Sequence, residues 1–223
     1  MKKLILFFLI ISNSIYSNNI NSNTESDSKI YLNLIQVLEI SLEKSINEVS
    51  SKNGFYTNPL IKIPFPNQNE NVKKKLFSFG MKKQIEEFEF NMNVAAEKAS
   101  KDALNIFLQE IKNLEINKLK KIMDGDKDEA TQYLKKNCSI YLYDRFLPII
   151  SEKLNNENVV NMWDVLLNRY NNLPFIKKIE FDLPDYVTNK TIEGIFILMS
   201  KYEKNIRQNA KSSKSNLIKN FFN

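Results

Sequence analysis

Apolar residues recur at threes and fours along most of this chain, the spacing that places them on one face of an α-helix. The first stripe is Ile30, Leu34, Val37, Leu38, Leu42, Ile46 and Val49. Asn53-Gly54 closes it, with Gly54 suited to a left-handed cap. FYTNPLIKIPFP follows, and its prolines at 59, 64 and 66 exclude a helix. That predicts an extended segment over residues 55–66, lying across the core. A short helix should come next and stop at Gly80.

The longest periodic stretch runs from about Lys82 to Leu114. Ile85, Phe88, Met92, Ala95, Ala99, Ala103, Ile106, Phe107 and Ile111 share its apolar face. With Ala96 beside them, the alanines make that face narrow at its middle, which predicts close approach of a second helix. The helix after it should extend to about Leu154 with a bend at Pro148, its inner side carrying Ala130, Leu134, Cys138, Tyr141, Leu142 and Phe146. Val159, Trp163, Leu166 and Tyr170 form another stripe, ending before Pro174. A last long helix opens at DLPDYV, with Asp182 as its cap, Pro184 in the first turn and Asp185 at capping-box spacing. Its buried stripe is Ile192, Ile195, Phe196, Met199 and Ile206. The pattern as a whole predicts an all-α, single-domain helical bundle of about six to eight helices.

MDGDKDEATQYL, residues 123–134, carries Asp124, Asp126 and Asp128 in the alternation of a calcium loop. Such a loop also needs glycine at position six and a bidentate glutamate at position twelve. Here those positions hold Glu129 and Lys135, so no metal site is predicted. A corner between two helices uses the same residues: Gly125 ends one helix, Asp126 caps the next, and Glu129 reaches back as a capping box.

Residues 1–17 stand apart from this pattern. Lys2 and Lys3 precede an apolar run from Leu4 to Ile11 and a small-residue exit at Ser14-Ile15-Tyr16-Ser17, the layout of a secretory signal peptide. The run is short of the ~20 residues that span a bilayer, and no cysteine stands at the exit to take a lipid anchor. Residues 18–28 read as a disordered leader and 29–223 as the helical domain, free in the periplasm or secreted. Without Lys2 and Lys3 the net charge falls from +6 to +4, a weak bias that gives no case for nucleic acid.

Absences narrow the chemistry further. The chain has no histidine, which removes Ser-His-Asp and Cys-His catalysis and imidazole-bound metals. Cys138 is the only cysteine and falls on an apolar face, as a small core residue. Four glycines scattered at 54, 80, 125 and 194 cannot form a phosphate loop. Glu97, Asp126, Asp182 and Glu203 are then the acids available for catalysis. Glu203 and Arg207, four apart, read as a solvated ion pair of ~0.3–0.5 kcal/mol.

GFYTNPLIKIPFP, NVAAEKA, GDKDEATQY, DLPDYVTNKTIEGIF and EKNIR followed by NLIKNFF resemble, in order and spacing, the bacterial family called domain of unknown function 4197. The resemblance spans roughly residues 30 to 222 and implies an exported, mostly helical protein. It implies no particular activity. Polar positions that fit it are Asn93, Glu97, Thr131, Tyr133, Asp182, Tyr186, Thr188, Glu203 and Arg207, which makes them the candidate binding residues. Glu129, Leu134, Cys138 and Ala210 depart from the family's alanine, phenylalanine, threonine and proline. A site built on a hydroxyl at 138 or an arginine at 213 would be incomplete in this chain.

The preferred expectation is a non-enzymatic exported protein that binds an apolar small molecule, a lipid or another envelope protein, with no cofactor. A carboxylate-based hydrolase of envelope material is the alternative, and long amphipathic helices leave a homodimer open. The basic-apolar tail KSNLIKNFFN is expected to dock on the bundle rather than on a membrane. If the signal reading holds, the exported protein begins at Asn18; intact mass spectrometry on a secreted sample should find residues 1–17 missing, and retention of Met1 would refute cleavage.

Overall fold

The computed structural model describes residues 28–66, 70–115 and 119–212. The signal segment, the leader up to residue 27 and the tail KSNLIKNFFN lie outside them. Seven helices and no strand occur among the described residues: α1 over residues 28–49, α2 Glu70–Ser78, α3 Lys82–Lys112, α4 Leu119–Asp124, α5 Glu129–Asn156, α6 Val159–Asn171 and α7 Leu183–Ser212. The all-α bundle expected from periodicity is the architecture observed.

Three long helices make the frame. α5 packs against both α3 and α7, which also touch each other, while α6 lies against α2, α3 and α5. α1 adds Leu34, Leu38, Leu42, Ile46 and Val49 to the same continuous core. Ala95, Ala96, Ala99 and Ala103 are fully buried. Side chains this small let neighbouring backbones come near, so α3 is tightly enclosed at its middle. Most predicted stripes are buried, with Ile30, Ile106 and Ile206 only half so. Tyr141 is a correction: it is 61% exposed, because it lies one position off the line through Leu134, Cys138, Leu142 and Phe146. α5 runs on through Pro148 to Asn156.

Several chain reversals are made differently from the expectation. Asn53, not Gly54, takes the left-handed conformation after α1, with φ 62°. At Gly54 the demand is space: a Cβ there would lie 2.4 Å from the Glu48 carbonyl oxygen. The segment predicted to be extended over 55–66 instead winds through turns as far as residue 61. Only its end runs free of turns, yet Phe55, Ile61, Ile63 and Phe65 are all buried, so it does cross the core. α2 stops as foreseen at Gly80, whose φ of 78° lets Met81 N–H reach the Leu76 carbonyl at 3.1 Å.

At the acidic corner the capping box does not form. Asp128, not Asp126, occupies the position before α5 and makes no side-chain cap bond, and Asp126 contributes its backbone carbonyl to Glu129 N–H at 3.0 Å. Asp182 does cap α7, accepting Asp185 N–H at 2.9 Å. Asp185 turns outward instead of back, accepting the Tyr143 hydroxyl at 2.7 Å. That bond and burial push the Tyr143 phenol up to about 12.

Gly194 sits where α7 crosses the proline-containing segment. A Cβ on it would lie 2.9 Å from Phe55 Cε1 and 3.3 Å from Ile61 Cβ, both residues being buried. Gly194→Ala should therefore destabilise the protein by about 1–3 kcal/mol despite the better helix propensity of alanine, as overpacking does. Chemical denaturation would check it, and an unchanged midpoint would refute the close approach.

Candidate functional site

Five of the polar residues singled out in the sequence, Asn93, Glu97, Thr131, Glu203 and Arg207, fall into two buried groups. One lies on the inner face of α3, where Glu89, Asn93 and Glu97 stand one turn apart. The proline-containing segment has backbone groups that no helix satisfies, and these three side chains take them up. Glu97 accepts the N–H groups of Asn53 and Phe55, each at 3.2 Å. Asn93 accepts Ile63 N–H at 2.9 Å and donates to the Ile63 carbonyl at 2.8 Å. Glu89 accepts Phe65 N–H at 3.0 Å and pairs with Lys73. Tyr186, from α7, donates to the Pro64 carbonyl at 3.1 Å, and burial pushes its phenol up to about 12. Burial also raises the Glu97 carboxyl above its ordinary value, although the backbone donors pull it back.

The second group corrects the solvated ion pair. Glu203 is fully buried and Arg207 is 7% exposed, their side chains meeting at 2.8 Å. Glu203 also accepts Ala130 N–H at 3.1 Å, Thr131 N–H at 2.7 Å and the Thr131 hydroxyl at 2.6 Å. These are groups at the start of α5, where a helix end favours negative charge. Arg207 donates to the carbonyls of Ile122 and Met123, each at 3.2 Å, at the closing turn of α4. α7 thus supplies the anion for one helix end and the cation for the other. Burial holds the Glu203 carboxyl above its ordinary range, and Thr131 and Arg207 oppose that rise.

The remaining candidates serve single contacts. Tyr133 donates to the Glu115 carbonyl at 2.7 Å, Thr188 to the Pro184 carbonyl at 2.7 Å, and Asp182 caps α7. Asp126 is exposed at the corner. Glu97 and Glu203 occupy separate groups, and their carboxylate oxygens are spent on backbone and cation partners. Among the described residues no three His, Cys, Asp or Glu side chains gather as a metal site. Burial pushes the Cys138 thiol up to about 11, so at neutral pH it is a packed, protonated side chain.

A cleft lies elsewhere, between α2, α6 and the segment that joins α6 to α7. Its volume is about 500 Å³, and Val72, Lys75, Trp163, Tyr170, Phe175 and Phe181 are among its walls. Trp163 is the aromatic centre of this region, stacked on Phe88 with centroids 5.4 Å apart and met by the Phe65 and Phe181 rings at 5.6 and 5.4 Å. Its indole N–H is buried and has no hydrogen-bond partner among the described residues, a cost of about 1–3 kcal/mol. Lys75 Nζ stands 6.0 Å from the Tyr170 ring. The outer wall is fixed by Asn171, which donates to the Ile179 carbonyl and accepts Ile179 N–H, both at 3.0 Å. Lys177 and Lys178 are exposed on that wall.

Phe175, on the same wall, is fully exposed and has φ 59°. A bulky side chain in that left-handed region carries backbone strain of order 1–3 kcal/mol.

The family model described as a protein of unknown function, DUF4197, matches residues 24–223. The chain belongs to the DUF4197 family. No curated protein and no solved structure matches it. In this DUF4197 member, none of the polar candidates named from the sequence lines the cleft. Trp163 and Tyr170 were read as a buried stripe and the cleft beside them was missed, because its outer wall is an irregular run with no helical pattern. LPFIKKIEF, residues 173–181, was its one signal: apolar residues interrupted by adjacent lysines outside any helical stripe.

The cleft can hold an apolar body with an acidic group at its lysines. The two buried groups can hold the chain together. Arg207→Met should accordingly cost about 3–5 kcal/mol, roughly 10 °C in Tm, by leaving Glu203 buried without its cation and the Ile122 and Met123 carbonyls without their donor. Calorimetry would measure it; a loss below about 1 kcal/mol would mean the pair is solvated after all.

Proposed function

We propose that this DUF4197 member is an exported, non-enzymatic carrier of an amphipathic anion, a fatty-acid-like molecule with an apolar body and an acidic head. The cleft beside Trp163 carries the reading. Its volume of about 500 Å³ falls within the ~300–1,000 Å³ range of small-molecule sites. Phe175, Ile176 and Phe181 offer apolar surface over the nearly buried rings of Trp163 and Tyr170, and Lys75, Lys177 and Lys178 offer the countercharge. Glu180 is the acid among its lining residues. Glu97 and Glu203 spend their oxygens on the fold, which favours a carrier over a hydrolase. The basic, apolar and small-residue order of residues 1–17 supports export.

Trp163 is the only tryptophan in the chain, so its emission reports on this cleft alone. Titration with dodecanoate below its micelle concentration should shift that emission saturably. A Lys177→Glu, Lys178→Glu variant should bind about thirtyfold more weakly, since each of the two charge reversals is worth roughly 1 kcal/mol at a partly exposed site. Unchanged emission, together with no bound mass by native mass spectrometry, would refute the carrier.

A further inference from the structure

Phe175 combines two features that bring the isolated protein no return. Its ring is fully in water, and its backbone adopts the left-handed conformation that glycine or asparagine would take without that strain. Lys177 and Lys178 follow it on the same exposed wall of the cleft. A second apolar-basic pair adjoins: Arg169 lies 5.8 Å from the ring of Phe79, itself 48% exposed, and is the neighbour in sequence of Tyr170 in the cleft wall. Lys75 adds another cation, and Glu180 is the acid lining this mouth.

We propose that this rim, with Phe175 at its tip and Lys177 and Lys178 behind it, docks on an anionic lipid bilayer so that the cleft opens against the membrane. An exposed aromatic ring can enter the boundary between headgroups and acyl chains, and lysines beside it meet anionic headgroups. Single exposed apolar residues are common on protein surfaces and need no explanation. What sets Phe175 apart is its placement: strained, fully exposed, followed by two lysines, and at the mouth of the cleft over Trp163. Among the described residues no helix is long and apolar enough to cross a membrane, and the contact proposed is peripheral. The inference deepens the carrier reading by naming the surface from which its ligand arrives, and to that extent rests on it.

The test is co-sedimentation of the protein with vesicles of phosphatidylcholine alone and of phosphatidylcholine containing one third phosphatidylglycerol. Binding should require the anionic lipid and weaken as salt is raised. Phe175→Asn removes the ring but suits the left-handed backbone, so it should melt no lower than the wild type while binding the anionic vesicles about tenfold more weakly. The Lys177→Glu, Lys178→Glu variant should lose binding by at least as much. Equal binding of Phe175→Asn and wild type, or equal binding to neutral and anionic vesicles, overturns the proposal. Dodecanoate titration of Trp163 emission without vesicles reads the cleft separately. Selective vesicle binding with neither an emission response nor bound mass would leave the docking surface standing and remove the carrier.

Discussion

A buried stretch of backbone that is not helical must find hydrogen bonds from somewhere, and in this bundle that requirement organises the structure. The proline-containing segment between α1 and α2 carries Phe55, Ile61, Ile63 and Phe65 into the core, and its amide groups enter with them. Left unpaired, each would cost about as much as those side chains gain. α3 meets the demand with Glu89, Asn93 and Glu97 at successive turns of a mostly apolar buried face. Three polar residues are thereby tolerated inside the core, two of them carboxylates, because they face donors and not hydrocarbon. The register of the segment on α3, and the seat it provides for α7 at Gly194, follow from these bonds.

The corner between α4 and α5 repeats the principle at helix ends. Two short reaches of chain meet there, one presenting unpaired carbonyls and the other unpaired amides. A single i,i+4 pair from α7 answers both, with Arg207 turned to α4 and Glu203 to α5. This arrangement replaces the local caps expected from Asp126 and Glu129. A long helix thus does for its neighbours what short-range side chains would do in an exposed turn.

The helical stripes were legible because each depends only on spacing within one segment. The stop at Gly80 and the cap at Asp182 were legible for the same reason. Glu203 and Arg207 were visible as a pair, but their burial was not, since it arises only when α4 and α5 arrive from elsewhere in the chain. Tyr141 was misplaced by one position on its helix, an error within reach of any 3.6-residue count. Asn93 and Glu97 stood out through resemblance to the family, whereas Glu89 looked like an ordinary surface acid. The cleft was hidden most completely. Its walls bring α2 together with α6 and the segment that follows α6, about ninety residues further on, and the wall that carries Phe175 has no periodicity to read.

Gly194 has a mechanical implication. With Phe55 and Ile61 pressed into the gap where its side chain would be, α7 is notched against the segment beneath it and cannot slide along its axis without lifting out of the notch. Its two ends, the Asp182 cap and the Arg207 clasp, lie about 38 Å apart at 1.5 Å per residue. Between them Gly194 indexes the helix against the segment beneath it. A shift of α7 along its axis would have to displace Phe55 and Ile61 first, and both belong to the core of the bundle.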